Sequence, residues 1–171
     1  NGTSYSYGTN LGGWPASEMR KYIGGYKDTN GNIVNGTIYK ALPSDLKSVL
    51  KDTYVVSSHG LNDIGTRSDE NFESIDTLYL LSAKEVWGSN PGGYDTSTEK
   101  TRQLDYYKEK GVTESSYSGA KKKYTGSNNY WWLRASNSGN TNRFYSVLNY
   151  GDWDYYSANN AIGVAPAFRI G

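Results

Sequence analysis

One run, YWWLRA from Tyr130 to Ala135, constrains the fold more than any other. It is short, it carries two adjacent tryptophans, and Asn, Ser and Gly bound it. A brief apolar run between such breakers reads as a buried strand. Whatever else the chain forms must cover that strand.

The rest of the chain supplies covering elements in a definite order. NLGGWPASEMRKYIGG predicts a turn and then a short helix, with Ser17 as N-cap and Gly24-Gly25 as the stop. Trp14, Met19, Tyr22 and Ile23 are its expected core residues. TIYKALPSDLKSVLKD predicts a helix pair broken at Pro43, with Ser44 or Asp45 capping the second part and Leu42, Leu46, Val49 and Leu50 as an apolar stripe. TYVVSS reads as a strand. DTLYLLSAKEVWG reads as a strand over Leu78–Leu81 that runs into a helical turn through Glu85 and Trp87. Residues 88–129 are rich in Gly, Ser and Lys, so a surface excursion is expected there, with one helix in STEKTRQLDYYKEKG. RFYSVLNYGDWDYYSA predicts a hairpin turning near Gly151, and GVAPAFRI the final strand. No internal repeat is visible. Helices precede strands, which points to an α+β class: two helices packed on small antiparallel sheets. The 171 residues suit a single domain spanning 1–171.

Charge excludes some partners. The formal net charge is +1, so no global field gathers nucleic acid or a membrane surface. Lys121-Lys122-Lys123 reads as a solvated loop. No stretch is long and apolar enough to span a bilayer, and no signal peptide is visible. Cysteine is absent, which removes disulfides and thiolate chemistry. The chain starts with Asn1 rather than Met, and is expected to be the distal part of a longer protein. Asn1 and Asn35 both open NGT sequons, to which no role is given.

The tail breaks from this composition. From residue 124 onward there is no Lys, Glu, Gln or Met. Polar character comes instead from Asn, Ser and Asp, interleaved with Tyr145, Tyr150, Tyr155 and Tyr156. The genetic code offers a reason. Varying the two adenines of an Asn codon that ends in a pyrimidine reaches a set of residues that includes Asn, Asp, Tyr, Ser, Thr, Arg, Leu, Ile, Gly and Phe, but never Lys, Glu, Gln, Met or Trp. Ser136 to Ile162 fits that set, apart from Trp153. The plainer alternative is that Asn, Gly, Ser and Tyr make good hairpins.

NLGGWPASEMRKYI, LYLLSAKEV, YWWLRA and GVAPAFRI follow one another in that order. The sequence resembles bacterial and phage domains of C-type-lectin-like fold that share W-x-x-S-x-M-R, L-L-S-x-x-E, W-x-L-R and G-V-x-P-A-[FL]-R motifs. Its tail resembles the variable region of proteins diversified by diversity-generating retroelements, where adenine-specific copying errors rewrite Asn codons. The resemblance covers the chain from about Asn10 to the end. It implies a framework of Trp131, Trp132, Leu133, Arg134, Phe144, Val147, Gly151, Trp153, Gly163, Val164, Pro166, Phe168 and Ile170. It implies a variable region over about 136–162, on the C-terminal hairpin and strand. Its ligand-binding positions would be Asn137, Ser138, Asn140, Asn142, Arg143, Ser146, Leu148, Asn149, Tyr150, Asp152, Asp154, Tyr155, Tyr156, Ser157, Asn159, Asn160 and Ile162, with their side chains outward.

The function implied is recognition of a protein or glycan ligand on a cell or environmental surface, by a phage virion (tail) or bacterial cell-surface protein. No catalytic residue, cofactor or metal is assigned, and the oligomeric state stays open. Rival readings are an aromatic-lined carbohydrate-binding module and a relative of the formylglycine-generating enzymes. The latter need cysteines that this chain lacks. His59 is the lone histidine and is expected to be a structural or surface residue. Asp152 and Asp154 are too few for a calcium site on their own.

Overall fold

The computed structural model describes residues 3–4, 7–63 and 71–171; Asn1 lies outside them. In chain order the elements are β1 (Thr3–Ser4), α1 (Gly13–Ala16), α2 (Glu18–Ile23), α3 (Thr37–Ala41), α4 (Ser44–Val49), β2 (Leu50–Lys51), β3 (Thr53–Ser58), β4 (Asn71–Asp76), α5 (Ala83–Trp87), α6 (Asp105–Glu109), β5 (Lys122–Tyr124), β6 (Ser127–Asn129), β7 (Trp131–Ser136), β8 (Arg143–Val147), β9 (Trp153–Ser157), β10 (Ala161–Ile162) and β11 (Arg169–Ile170). Among the described residues the six α-helices are short and the sheets small and antiparallel, a mixed α and β architecture. β7, β8 and β9 form a three-stranded sheet in that order, and the other strands pair as β1–β10, β2–β11, β3–β4 and β5–β6.

The expected buried strand is β7, in which every residue is buried. Its coverage comes from one apolar cluster that includes Trp14, Met19, Ile23, Leu80, Trp87, Trp131, Trp132, Phe144 and Tyr145. Rings and aliphatic chains of this size each contribute about 1.5–3 kcal/mol on burial.

The W-x-x-S-x-M-R residues converge on Asp76, a buried carboxylate at the end of β4. Ser17 accepts the Arg20 amide at 3.1 Å, capping α2 as expected. Trp14 Nε1 donates to Asp76 Oδ2 at 2.8 Å, and the Arg20 guanidinium donates to Asp76 Oδ1, with Nε at 2.8 Å and Nη2 at 2.7 Å. Ser74 Oγ adds a third donor at 2.7 Å. Met19 fills the core beneath.

Several local expectations are corrected. Leu78–Leu81 is not a strand, because its carbonyls serve other donors. Arg134 N takes the Leu81 oxygen at 2.8 Å and Arg134 Nη1 the Leu80 oxygen at 2.8 Å, leaving only a bridge from Tyr79 to Ala167. GVAPAFRI likewise forms no continuous strand, being paired at Gly163, at Ala167 and over Arg169–Ile170, and Phe168 and Ile170 are exposed rather than framework. In α4 neither Ser44 nor Asp45 caps; Pro43 occupies that position without a side-chain bond. The apolar stripe of α3 and α4 is at most half-buried. β4 and the β5–β6 hairpin were not expected.

The excursion over 88–129 is more than surface. It buries Asp95, Tyr107, Val112 and Ala120, and the Ala120 carbonyl accepts Trp131 Nε1 at 3.2 Å. Its helix is shorter than expected, since Thr101 is extended and splits a turn at Thr98–Lys100 from α6.

Candidate functional site

The β8–β9 hairpin is where the sequence places recognition. Antiparallel pairing sets Phe144 opposite Tyr156 and Ser146 opposite Asp154, while Arg143, Tyr145 and Val147 face Ser157, Tyr155 and Trp153. Successive residues alternate sides, so Asp154 and Tyr156 leave one face and Tyr155 the other. β8 is the middle strand and is buried on both faces from Phe144 to Val147. β9 is the edge, half-exposed throughout.

On the Tyr155 face the hairpin is covered. The Tyr145 hydroxyl donates to the Pro91 carbonyl at 2.8 Å and accepts the Tyr94 amide at 3.1 Å. Tyr155 packs edge-on against Tyr145, with centroids 4.6 Å apart, and against Tyr94 at 5.9 Å. Burial pushes the Tyr145 phenol well above its ordinary range.

On the other face a rim of tyrosines meets solvent. Tyr156 leans on Tyr130 with centroids 5.6 Å apart, and Tyr150 at the hairpin tip meets Tyr117 at 5.9 Å. Partial desolvation raises the Tyr150 and Tyr156 phenols; Asp152 adds to the first and Tyr130 to the second. Asp152 and Asp154 flank the rings, each accepting the amide of the next residue, Trp153 at 2.8 Å and Tyr155 at 2.7 Å. The rim therefore offers broad rings, phenolic hydroxyls and two carboxylates. Its main chain is fixed from behind. Gly151 turns with φ 103° against the Tyr117 carbonyl, and its own carbonyl accepts Trp87 Nε1 at 3.3 Å.

The loop between β7 and β8 is held in a similar way. Asn10, itself buried, donates through Nδ2 to the carbonyls of Asn140 at 2.8 Å, Arg143 at 3.1 Å and Asn137 at 3.2 Å.

The seventeen expected contact residues do not form one patch. Arg143, Asn149, Tyr150, Asn159 and Asn160 are exposed; Ser138, Asn140, Asn142, Asp152, Asp154, Tyr155, Tyr156, Ser157 and Ile162 are half-buried. Asn137, Ser146 and Leu148 are buried, which corrects their expected outward orientation. Ser146 shares a face with Asp154 but is buried because β8, the central strand, is flanked by β7 and β9. Asn137 closes its own loop, its Oδ1 accepting the Gly139 amide at 2.9 Å. Tyr155 is corrected too, as its ring serves the covered face. Asn137 to Arg143 and Ser157 to Asn160 gather at one end of the hairpin, and Asn149 to Asp152 at the other. Tyr117 and Tyr130 were missed, and nothing in the sequence pairs them with positions 20 or more residues away.

The rivals' residues have structural partners. His59 is buried with Nδ1 2.7 Å from the Gly60 carbonyl oxygen. Among the described residues no three His, Cys, Asp or Glu side chains converge as a metal site would require. No helix of the described residues is long and apolar enough to cross a membrane.

No curated protein and no solved structure matches the chain. A family profile, described as a domain of unknown function, matches residues 2–171. The chain, over almost its whole length, belongs to the DUF6273 family.

Proposed function

We propose that this domain is a ligand-binding display module of C-type-lectin-like fold, and that its C-terminal hairpin recognises a protein or glycan on a cell or environmental surface. The observation that carries the reading is the rim of Tyr117, Tyr130, Tyr150 and Tyr156 beside Asp152 and Asp154, on a hairpin whose opposite face is packed. Rigid amphipathic rings with short polar neighbours give contact area and hydrogen bonding at low entropic cost. Side chains that stand on a backbone fixed elsewhere can change with little effect on stability, typically within about 0.5 kcal/mol. Binding, rather than catalysis, is the task such a surface suits. A setting on a phage virion (tail) or a bacterial cell surface is part of the same proposal, on the resemblance of the tail to a variable region.

The test is to randomise Asn149, Tyr150, Asp152, Asp154, Tyr156, Asn159 and Asn160 with the adenine-derived residue set and display the library. Most members should fold, and selection against an unrelated protein should yield binders that differ at these positions. A library that is mostly unfolded would sink the proposal.

A further inference from the structure

Next to the tyrosine rim, and sharing Tyr130 with it, a cleft of about 580 Å³ opens between the β5–β6 hairpin, the α2 and α3 side chains Tyr22 and Ile38, and residues 161–165. That volume falls within the range of small-ligand sites, about 300–1,000 Å³. Its charge is one-sided. Lys122 and Lys123 both line it, and none of the described residues lining it is Asp or Glu. Neither lysine forms an ion pair among the described residues. The expectation of a solvated basic loop is corrected at Lys122. It is half-buried, with Nζ 5.1 Å from the Trp131 ring centroid and 5.9 Å from that of Tyr107.

An ammonium in that position has lost part of its water and gained only ring faces. Burial accordingly draws its pKa below the ordinary lysine value. A carboxylate entering the cleft would supply the missing counter-charge where water is scarce, and charge-assisted bonds are the strong ones there. Tyr22 and Tyr130 supply aromatic lining, Ile38 and Ile162 aliphatic lining, and Asn129 a polar group.

We propose that this cleft binds a carboxylate carried on a flat apolar body, with Lys122 as its ion-pair partner. The carboxylate belongs either to a free aromatic acid or to the C-terminus of a peptide that ends in an aromatic residue. This site adjoins the display surface, sharing Tyr130 and Ile162 with it, but its case rests on Lys122 and not on the display reading.

Calorimetric titration of the domain tests it with four probes: N-acetyl-phenylalanine, its amide, Gly-Gly-Gly-Phe, and that peptide amidated. At least one free acid should bind, with its amide weaker by about tenfold or more, the gain expected of a charge-assisted pair. Binding of both acids points to a free small acid, and of the peptide acid alone to a chain terminus. Lys122→Gln should weaken the acid by a similar factor and Lys108→Gln should not. Raising the salt concentration should weaken wild-type binding. Equal binding of acid and amide, no binding of any probe, or an indifferent Lys122→Gln overturns the proposal. None of these outcomes bears on the display reading, because Tyr150, Tyr156, Asp152 and Asp154 are untouched.

Discussion

Arg134 and Glu85 meet through two side-by-side hydrogen bonds, Nη1 to Oε2 at 2.6 Å and Nη2 to Oε1 at 3.1 Å, across 49 residues of sequence. The same guanidinium donates to the Val56 carbonyl at 2.9 Å and the Leu80 carbonyl at 2.8 Å, and the same carboxylate accepts the Ser82 amide at 2.8 Å to complete the α5 capping box. Two motifs read separately in the sequence, L-L-S-x-x-E and W-x-L-R, are thus the halves of one buried joint. Arg134→Ala or Glu85→Ala should each destabilise the domain by about 3–5 kcal/mol, because the surviving charge is left without its partner. The double replacement should cost clearly less than the sum. Urea unfolding of the three variants checks this, and additivity would contradict it.

Asp76 makes a similar claim on a second joint. Asp76→Ala removes the acceptor of Trp14, Arg20 and Ser74 together, and should also cost about 3–5 kcal/mol. Asp52 holds Lys27 at 3.4 Å with both side chains more than half exposed, and Asp52→Ala should change stability by no more than about 1 kcal/mol. Equal effects in thermal melts would show that burial is not what separates the two pairs.

The tyrosines of the hairpin should divide by face. Tyr150→Ala removes a half-exposed ring and should cost about 1 kcal/mol or less. Tyr155→Ala opens a gap beside Tyr145, Tyr94 and Trp153, and should cost about 2–4 kcal/mol. The reverse order of melting temperatures would mean that the two faces have been exchanged.

Asp95 gives the domain a pH dependence. It is fully buried, with Oδ1 accepting from Ser97 N at 3.0 Å and from Ser97 Oγ at 2.5 Å. Desolvation raises its pKa above the ordinary 3.8, with the Ser97 bonds opposing. The folded state therefore holds a proton that the unfolded chain has already released, so this group's contribution to stability is full below pH 3.8 and declines as pH rises through the folded pKa. Asp95→Asn cannot titrate. The stability of wild type relative to this variant should fall as pH is raised from the ordinary carboxylate value toward neutrality. A flat difference would remove Asp95 as the source.

Gly151 holds the hairpin tip in a backbone region that favours glycine. Gly151→Ala meets both that strain and the Tyr117 carbonyl oxygen, so the tip must shift. Melting temperature should drop by several degrees, a change corresponding to about 1–2 kcal/mol. An unchanged melt would show the tip to be loose.

Local signals were legible wherever a residue's role depends on near neighbours. The Ser17 cap, the α3–α4 break at Pro43, the strand at Thr53–Ser58, β7 and the turn at Gly151 could all be read this way. Long-range partners left no trace. Asp76 lies in NFESID, a polar strand covered on one side only, so neither its strand nor its role as acceptor shows a pattern. Leu78–Leu81 looked like a strand because its side chains are buried, yet the Arg134 guanidinium takes the Leu80 carbonyl and the Arg134 amide that of Leu81. The site was half-legible for the same reason. Alternation along β9 could be read, but which face is covered depends on Pro91 and Tyr94 in a segment of low apolar content. Lys122 was misread because a run of three lysines shows no sign of the rings beneath one of them.

The three bonds from Asn10 give the β7–β8 loop an unusual kind of inheritance. Its path is written 127 to 133 positions upstream, in a side chain that no rewriting of the loop itself would alter. Substitutions between Asn137 and Arg143 can thus exchange chemistry while keeping the route, since the donor addresses only main-chain oxygens. A single edit at Asn10 would release every such version of the loop at once.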